Sequence, residues 1–123
     1  MARILWGSEQ PIRPTGYATV TREVIKRLIK DYGHEIYVMG WDYNGEDFKH
    51  EEGWTMVHTG LRQFGADKLN IGAQGDSPNI LDFQLGQIQP DVYISLIDAW
   101  FQGHMVLSCN KAGIPHIAYP PID

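Results

Sequence analysis

Apolar positions along the chain follow two periods, and the switches between them outline the fold. Ile4, Leu5 and Trp6 form a continuous apolar run within Arg3 to Ser8, with Gly7 near its end. Strands buried on both faces read as such runs, so a first strand is predicted here. Glu9 to Gly16 follows and carries Pro11 and Pro14. Proline removes a donor N–H and restricts its neighbour, which predicts an extended loop. Val20, Val24, Ile25, Leu28, Ile29 and Tyr32 then recur at helical spacing, with Arg22, Glu23, Lys26, Arg27, Lys30 and Asp31 on the other side. That pattern is an amphipathic helix laid on a sheet. Thr15 is its N-cap candidate and Gly33 is placed to end it in a left-handed turn.

Glu35 to Trp41 is rich in β-branched and aromatic residues and predicts a second strand. Asp42 to Gly53 is polar and glycine-bearing, and predicts a loop. Trp54 to Thr59 predicts a third strand. Leu61 to Ser77 is glycine-rich and weakly patterned, which predicts a mobile loop with one helical turn near Gly65 to Leu69. Ile80, Leu81, Phe83, Leu85 and Ile88 begin a second helix, closed by Pro90. Asp91 to Ile97 predicts a fourth strand. Trp100 to Ala112 predicts a third helix, with Gly113 as its C-terminal signal. His116 to Tyr119 predicts a last strand. Strands alternating with helices imply an α/β fold: a Rossmann-like, doubly wound, mostly parallel sheet of about five strands, with helices on both faces.

Composition narrows this picture without changing it. A chain of 123 residues fits one domain. Its 43% hydrophobic and 20% charged residues are those of a globular protein, not a disordered one. The net charge of -5, with no basic stripe, argues against nucleic acid or an anionic membrane surface as the main partner. No apolar run approaches the roughly 20 residues that span a bilayer. The apolar start is too short for a signal peptide. One cysteine, Cys109, excludes an internal disulfide and points to a reducing, cytoplasmic home. Cys109 itself reads as a small apolar helix residue. The sequence stops on a strand end without a covering helix, which predicts that residues 1–123 are the N-terminal fragment of a longer, two-domain protein.

In sheets of this kind ligands bind at the carboxyl ends of the strands. Three loops fall there: Gly7 to Tyr17, Asp98 to Gly103, and Tyr119 to Asp123. The first is neither a G-x-G-x-x-G fingerprint nor a phosphate loop. It delivers Thr15, Gly16 and Tyr17 onto a helix N-terminus, whose free N–H groups suit a phosphate. The alternative is that Thr15 and Gly16 are only a cap and a turn. Arg13, in the proline loop, could meet a phosphate or an acidic acceptor, or could be plain surface. Asp98 and Trp100 put a carboxylate and a stacking aromatic at a strand end; Asp98 could equally cap the third helix, and Trp100 could cover an interface. The five histidines show no paired metal spacing, so no metal site is expected. His116 reads as a packed strand residue and His34 as a turn residue. Asp42, Glu46, Asp47, Glu51 and Glu52 read as a solvated surface loop.

Three segments carry a resemblance. Tyr32-Gly33-His34-Glu35-Ile36-Tyr37-Val38, Gln89-Pro90-Asp91-Val92-Tyr93-Ile94-Ser95 and Gly113-Ile114-Pro115-His116-Ile117-Ala118 resemble, in order and spacing, the N-terminal domain of the group 1 glycosyltransferases, retaining enzymes of the GT-B fold. The resemblance implies the acceptor-side half of an enzyme that transfers a hexosyl group from a UDP- or GDP-sugar to an unknown acceptor. It places Gly16 near the donor diphosphate, and Asp98 and Asp123 along the sugar cleft. The family's histidine at the end of the last strand is absent, and Asp123 is the candidate for a related place. The donor-contacting Arg/Lys pair and paired glutamates belong to a C-terminal Rossmann domain that would be the partner of this one. No cofactor is expected on this chain alone, and residues 1–123 alone should be inactive. Peripheral membrane contact is left open, as is whether the Leu61 to Ser77 loop meets a membrane-bound acceptor. Two rival readings stand: a nucleotide-sugar epimerase of the same fold, and a non-catalytic, flavodoxin-like binding or regulatory domain.

Overall fold

The computed structural model describes residues 1–8, 16–40, 43, 46–57, 78–96 and 103–119, and of these the backbone alone at 78–80 and 103–104. In chain order the elements are β1 (Arg3–Ser8), α1 (Gly16–Tyr32), β2 (Glu35–Gly40), β3 (Phe48–Lys49), β4 (Thr55–Val57), α2 (Pro78–Ile88), β5 (Val92–Ser95), α3 (Gly103–Ala112) and β6 (His116–Ala118). The molecule is thus an α/β protein whose mixed sheet is mostly parallel, ordered β3-β4-β2-β1-β5-β6. β1 pairs in parallel with β2 on one side and with β5 on the other.

The helix ends follow from local chemistry. Gly33, at φ 69°, closes α1 and donates its N–H to Ile29 O at 2.9 Å. Gly113, at φ 72°, closes α3, where Ile114 N–H reaches back to Cys109 O at 2.9 Å. A left-handed residue there satisfies carbonyls that the helix leaves free, and glycine takes that conformation without a Cβ penalty. α2 ends instead on Gln89, at φ 50°, immediately before Pro90. It begins at Pro78, ahead of the expected Ile80. Proline suits a first turn, because its missing N–H would have had no helical partner there.

The sheet has six strands, not about five. The extra one, β3, lies inside the stretch expected to be a loop, Asp42 to Gly53, and pairs antiparallel with β4. Two residues are too few to show a period of two, which is why the pattern missed it. A tight reversal makes the pairing: His50 N–H donates to Trp54 O at 2.7 Å, and Gly53 sits at φ 105°. The His50 ring stacks on buried Trp54 with centroids 4.4 Å apart.

Successive strand residues face opposite sides, and the core divides accordingly. Leu5, Met39, Val57 and Tyr93 pack with Leu81, Leu85 and Ile88 of α2 and with Met105 and Cys109 of α3. Ile4, Trp6, Ile36, Val38 and Met56 pack with Ile25 of α1 and with Trp54 and Leu96. Cys109 is fully buried. Burial, reinforced by the Asp82 charge, pushes its thiol up to about 11. The thiol therefore stays protonated and behaves as the apolar residue its sequence context suggested.

Arg3 ties the amino edge together. Its backbone N–H donates to Asp91 Oδ2 at 2.8 Å, and Asp91 returns a backbone bond to Arg3 O at 2.7 Å. His34 serves the same edge as a turn residue: its Nδ1 accepts the Ala2 N–H at 2.9 Å. Among the described residues no helix is long and apolar enough to cross a membrane.

Candidate functional site

Because β1, β2, β4, β5 and β6 run parallel, their carboxyl ends emerge along one edge. The chain winds outward from β1 through β2 to β4 on one side, and from β5 to β6 on the other. The winding reverses between β1 and β5, and in sheets of this kind the ligand crevice lies above the strand ends at such a reversal. Counted without antiparallel β3, the strands stand third-second-first-fourth-fifth, the order of dinucleotide-binding sheets.

The floor of the crevice is Gly7 and Ser8 of β1, and Ser95 and Leu96 at the end of β5. Leu96 N–H donates to Gly7 O at 2.9 Å, and the buried Ser8 hydroxyl donates to Leu96 O at 3.0 Å. The two strand ends are thereby locked together. Tyr93 lies so close under Gly7 that a Cβ on Gly7 would stand 2.1 Å from its hydroxyl oxygen. The same hydroxyl donates to Met105 Sδ at 3.7 Å and so links α3 to β5.

α1 returns from the carboxyl edge to the start of β2, so its N-terminus lies beside this crevice. A buried hydrogen bond from Trp6 Nε1 to Thr21 Oγ1, at 3.1 Å, fixes the helix against β1. No acidic residue stands in the first turn of α1 to quench its partial positive charge. Gly16 is the first residue of α1 and is exposed; among the described residues no heavy atom lies within 4 Å of where its Cβ would be. Tyr17, half-buried, packs on the Trp6 side of the core. Of the residues expected in the site, Gly16 and Tyr17 are described, as the first two residues of α1. Arg13, Thr15, Asp98, Trp100 and Asp123 lie outside the described residues, as do Phe101 and the Leu61 to Ser77 loop. Sequence reasoning marked Gly7 as the start of the first loop but missed the approach of Tyr93 beneath it. The glycine ending the first apolar run was the only signal available.

No protein-family model matches the chain, and no curated protein sequence matches it.

Ser95 and His116 form the nearest thing to a nucleophile–base pair, with Ser95 Oγ and His116 Nε2 2.7 Å apart. Ser95 is fully buried, so no substrate atom can reach its hydroxyl, and the contact is one of packing. His116 is a packed strand residue, as its apolar setting suggested. Burial holds its imidazole below the ordinary 6.5. The unfolded chain therefore takes up the proton first as pH falls, and stability present at neutral pH is lost below about 6.5. Urea midpoints should drop between pH 7.5 and 5, and His116→Gln should flatten the drop. An unchanged slope in that variant would remove His116 from the account. Among the described residues no three His, Cys, Asp or Glu side chains gather where they could hold a metal ion.

Proposed function

We propose that this chain is the N-terminal, acceptor-side half of a nucleotide-sugar-dependent glycosyltransferase, built as a Rossmann-type, doubly wound sheet with helices over both faces. The observation that carries the reading is the reversal of strand order between β1 and β5, with the acid-free N-terminus of α1 beside it. A helix N-terminus there offers N–H donors and a partial positive charge to a diphosphate. Sugar transfer needs the charge of the leaving nucleotide stabilised as the glycosidic bond breaks. Gly16 supports the same reading. Without a side chain at this terminus, it would let a ligand approach the backbone closely. In this reading Arg13, Thr15, Tyr17, Asp98, Trp100 and Asp123 surround the donor phosphate and the acceptor. A second domain supplies the remaining positive charge.

The flavodoxin-like alternative requires the order 2-1-3-4-5, which this sheet does not have. An epimerase of the same fold shares the order, and its product separates it: a free epimerised sugar nucleotide instead of a glycosylated acceptor.

The test uses the full product of the parent reading frame with labelled UDP- and GDP-hexoses. Gly16→Leu should weaken donor binding at least tenfold while leaving thermal stability unchanged or slightly raised, since leucine favours helix over glycine by roughly 1 kcal/mol. Equal donor affinity in that variant, a parent frame without a second α/β half, or sugar transfer by residues 1–123 alone would each overturn the proposal.

A further inference from the structure

Three inward-facing positions break the apolar pattern, and they converge. Tyr37 shares a strand face with Met39, and Thr55 with Val57; Met39 and Val57 are core residues packed with α2. On α2 the apolar stripe is Leu81, Leu85 and Ile88, and Gln84 falls inside it, only 3% exposed. Each carries a hydrogen-bonding group on this otherwise apolar face, and the Tyr37 hydroxyl is bonded to Glu35. Local rules of this sort are broken chiefly where a protein binds something.

Tyr37, Thr55 and Gln84 line one open cleft of about 300 Å³ between α2 and strands β2 and β4, together with Phe83 and Gln87 of α2 and with Arg3 and Asp47. Its volume sits at the small end of ligand pockets and has room for a single sugar ring with a few waters. Its charge does not suit an anion. The Arg3 guanidinium is already paired, through Nε to Glu35 Oε1 at 3.3 Å and through Nη1 to Ile88 O at 3.0 Å, and Asp47 adds a negative charge. The Tyr37 hydroxyl donates to Glu35, which leaves the phenolic oxygen as an acceptor. The Thr55 hydroxyl and the Gln87 amide can each donate and accept. Phe83 supplies an apolar wall against which a ring's C–H face can lie.

We propose that this cleft binds a small neutral polyol, of monosaccharide or cyclitol size. Arg3 and Thr55 open their strands and Ile88 ends α2, so the cleft belongs to the amino side of the sheet. It is separate from the crevice above β1 and β5 and does not depend on the function proposed there.

The experiment is an NMR titration of the isotope-labelled chain with glucose, mannose and myo-inositol, with inorganic phosphate as the anionic control. At least one of the polyols should give saturable amide shifts confined to the neighbourhood of Tyr37, Thr55 and Gln84 to Ile88, and phosphate none. Thr55→Val and Gln87→Ala, which keep or barely alter packing, should each weaken that binding at least tenfold with the remaining spectrum unchanged. Gln84→Leu, which removes a polar group from the wall of the cleft, should abolish the shifts. Absence of saturation with all three polyols, saturation by phosphate, or undiminished affinity in both Thr55→Val and Gln87→Ala would overturn the proposal.

Discussion

Gly7→Ala should cost about 3 kcal/mol of stability, at the upper end of what overpacking a core usually costs. The new methyl carbon would lie 2.1 Å from the Tyr93 hydroxyl oxygen and 2.9 Å from the ring carbon that bears it. Tyr93 is fully buried and its hydroxyl is engaged with Met105, so the ring has no easy direction of retreat. The backbone of β1 cannot give way either, because it is paired on both edges. Tyr93→Phe deletes the atom at 2.1 Å and leaves contacts of 2.9 Å and 3.0 Å. Added to Gly7→Ala, it should therefore recover about half of the loss. Urea denaturation of the two single variants and the double variant closes the cycle. Strict additivity, or a Gly7→Ala protein as stable as the parent, would show that the ring and the strand are not in the contact described.

Thr21→Val should lower stability by about 1–3 kcal/mol, although valine fills nearly the same volume. The hydroxyl it removes accepts the Trp6 indole N–H at 3.1 Å, in a place where both residues are buried. Water cannot replace the lost acceptor, so the indole bears the full cost of an unmet donor. Thr21→Ser keeps the acceptor and should retain most of the stability. The measurement is the urea midpoint, with the slope of ΔG against denaturant unchanged in all three proteins. A loss below about 0.5 kcal/mol in Thr21→Val would mean that the bond does not hold α1 to β1.

The elements that the sequence displayed are those with enough residues to show a period. α1 has 17, and its apolar stripe and Gly33 marked both its face and its end. β1, β2 and β5 announced themselves as short apolar runs because both of their faces are covered by apolar residues. β3 was invisible for the opposite reason, since both of its residues are exposed and no pattern encodes them. Strand order was not legible, because residues that face each other across β1 and β5 lie far apart in the chain. The same distance hid the approach of Tyr93 to Gly7, which depends on register: Gly7 stands opposite Ser95, two residues beyond Tyr93. Gly16 could be picked out because a helix N-terminus is a local event. The cleft of Tyr37, Thr55 and Gln84 could not, since its three inward polar residues come from three elements and each looks ordinary alone.

The lock between Ser8 and Leu96, 88 residues apart, also has a meaning in time. β1, α1 and β2 form a unit whose strands pair across about thirty residues of chain, and closing so short a loop is entropically cheap. β5 can meet β1 only after a much longer stretch has been made and gathered in, and non-local pairings of this kind form slowly. A chain emerging from the ribosome therefore holds the central strand open along one side until β5 arrives. The floor of the crevice is the last part of the sheet's centre to exist.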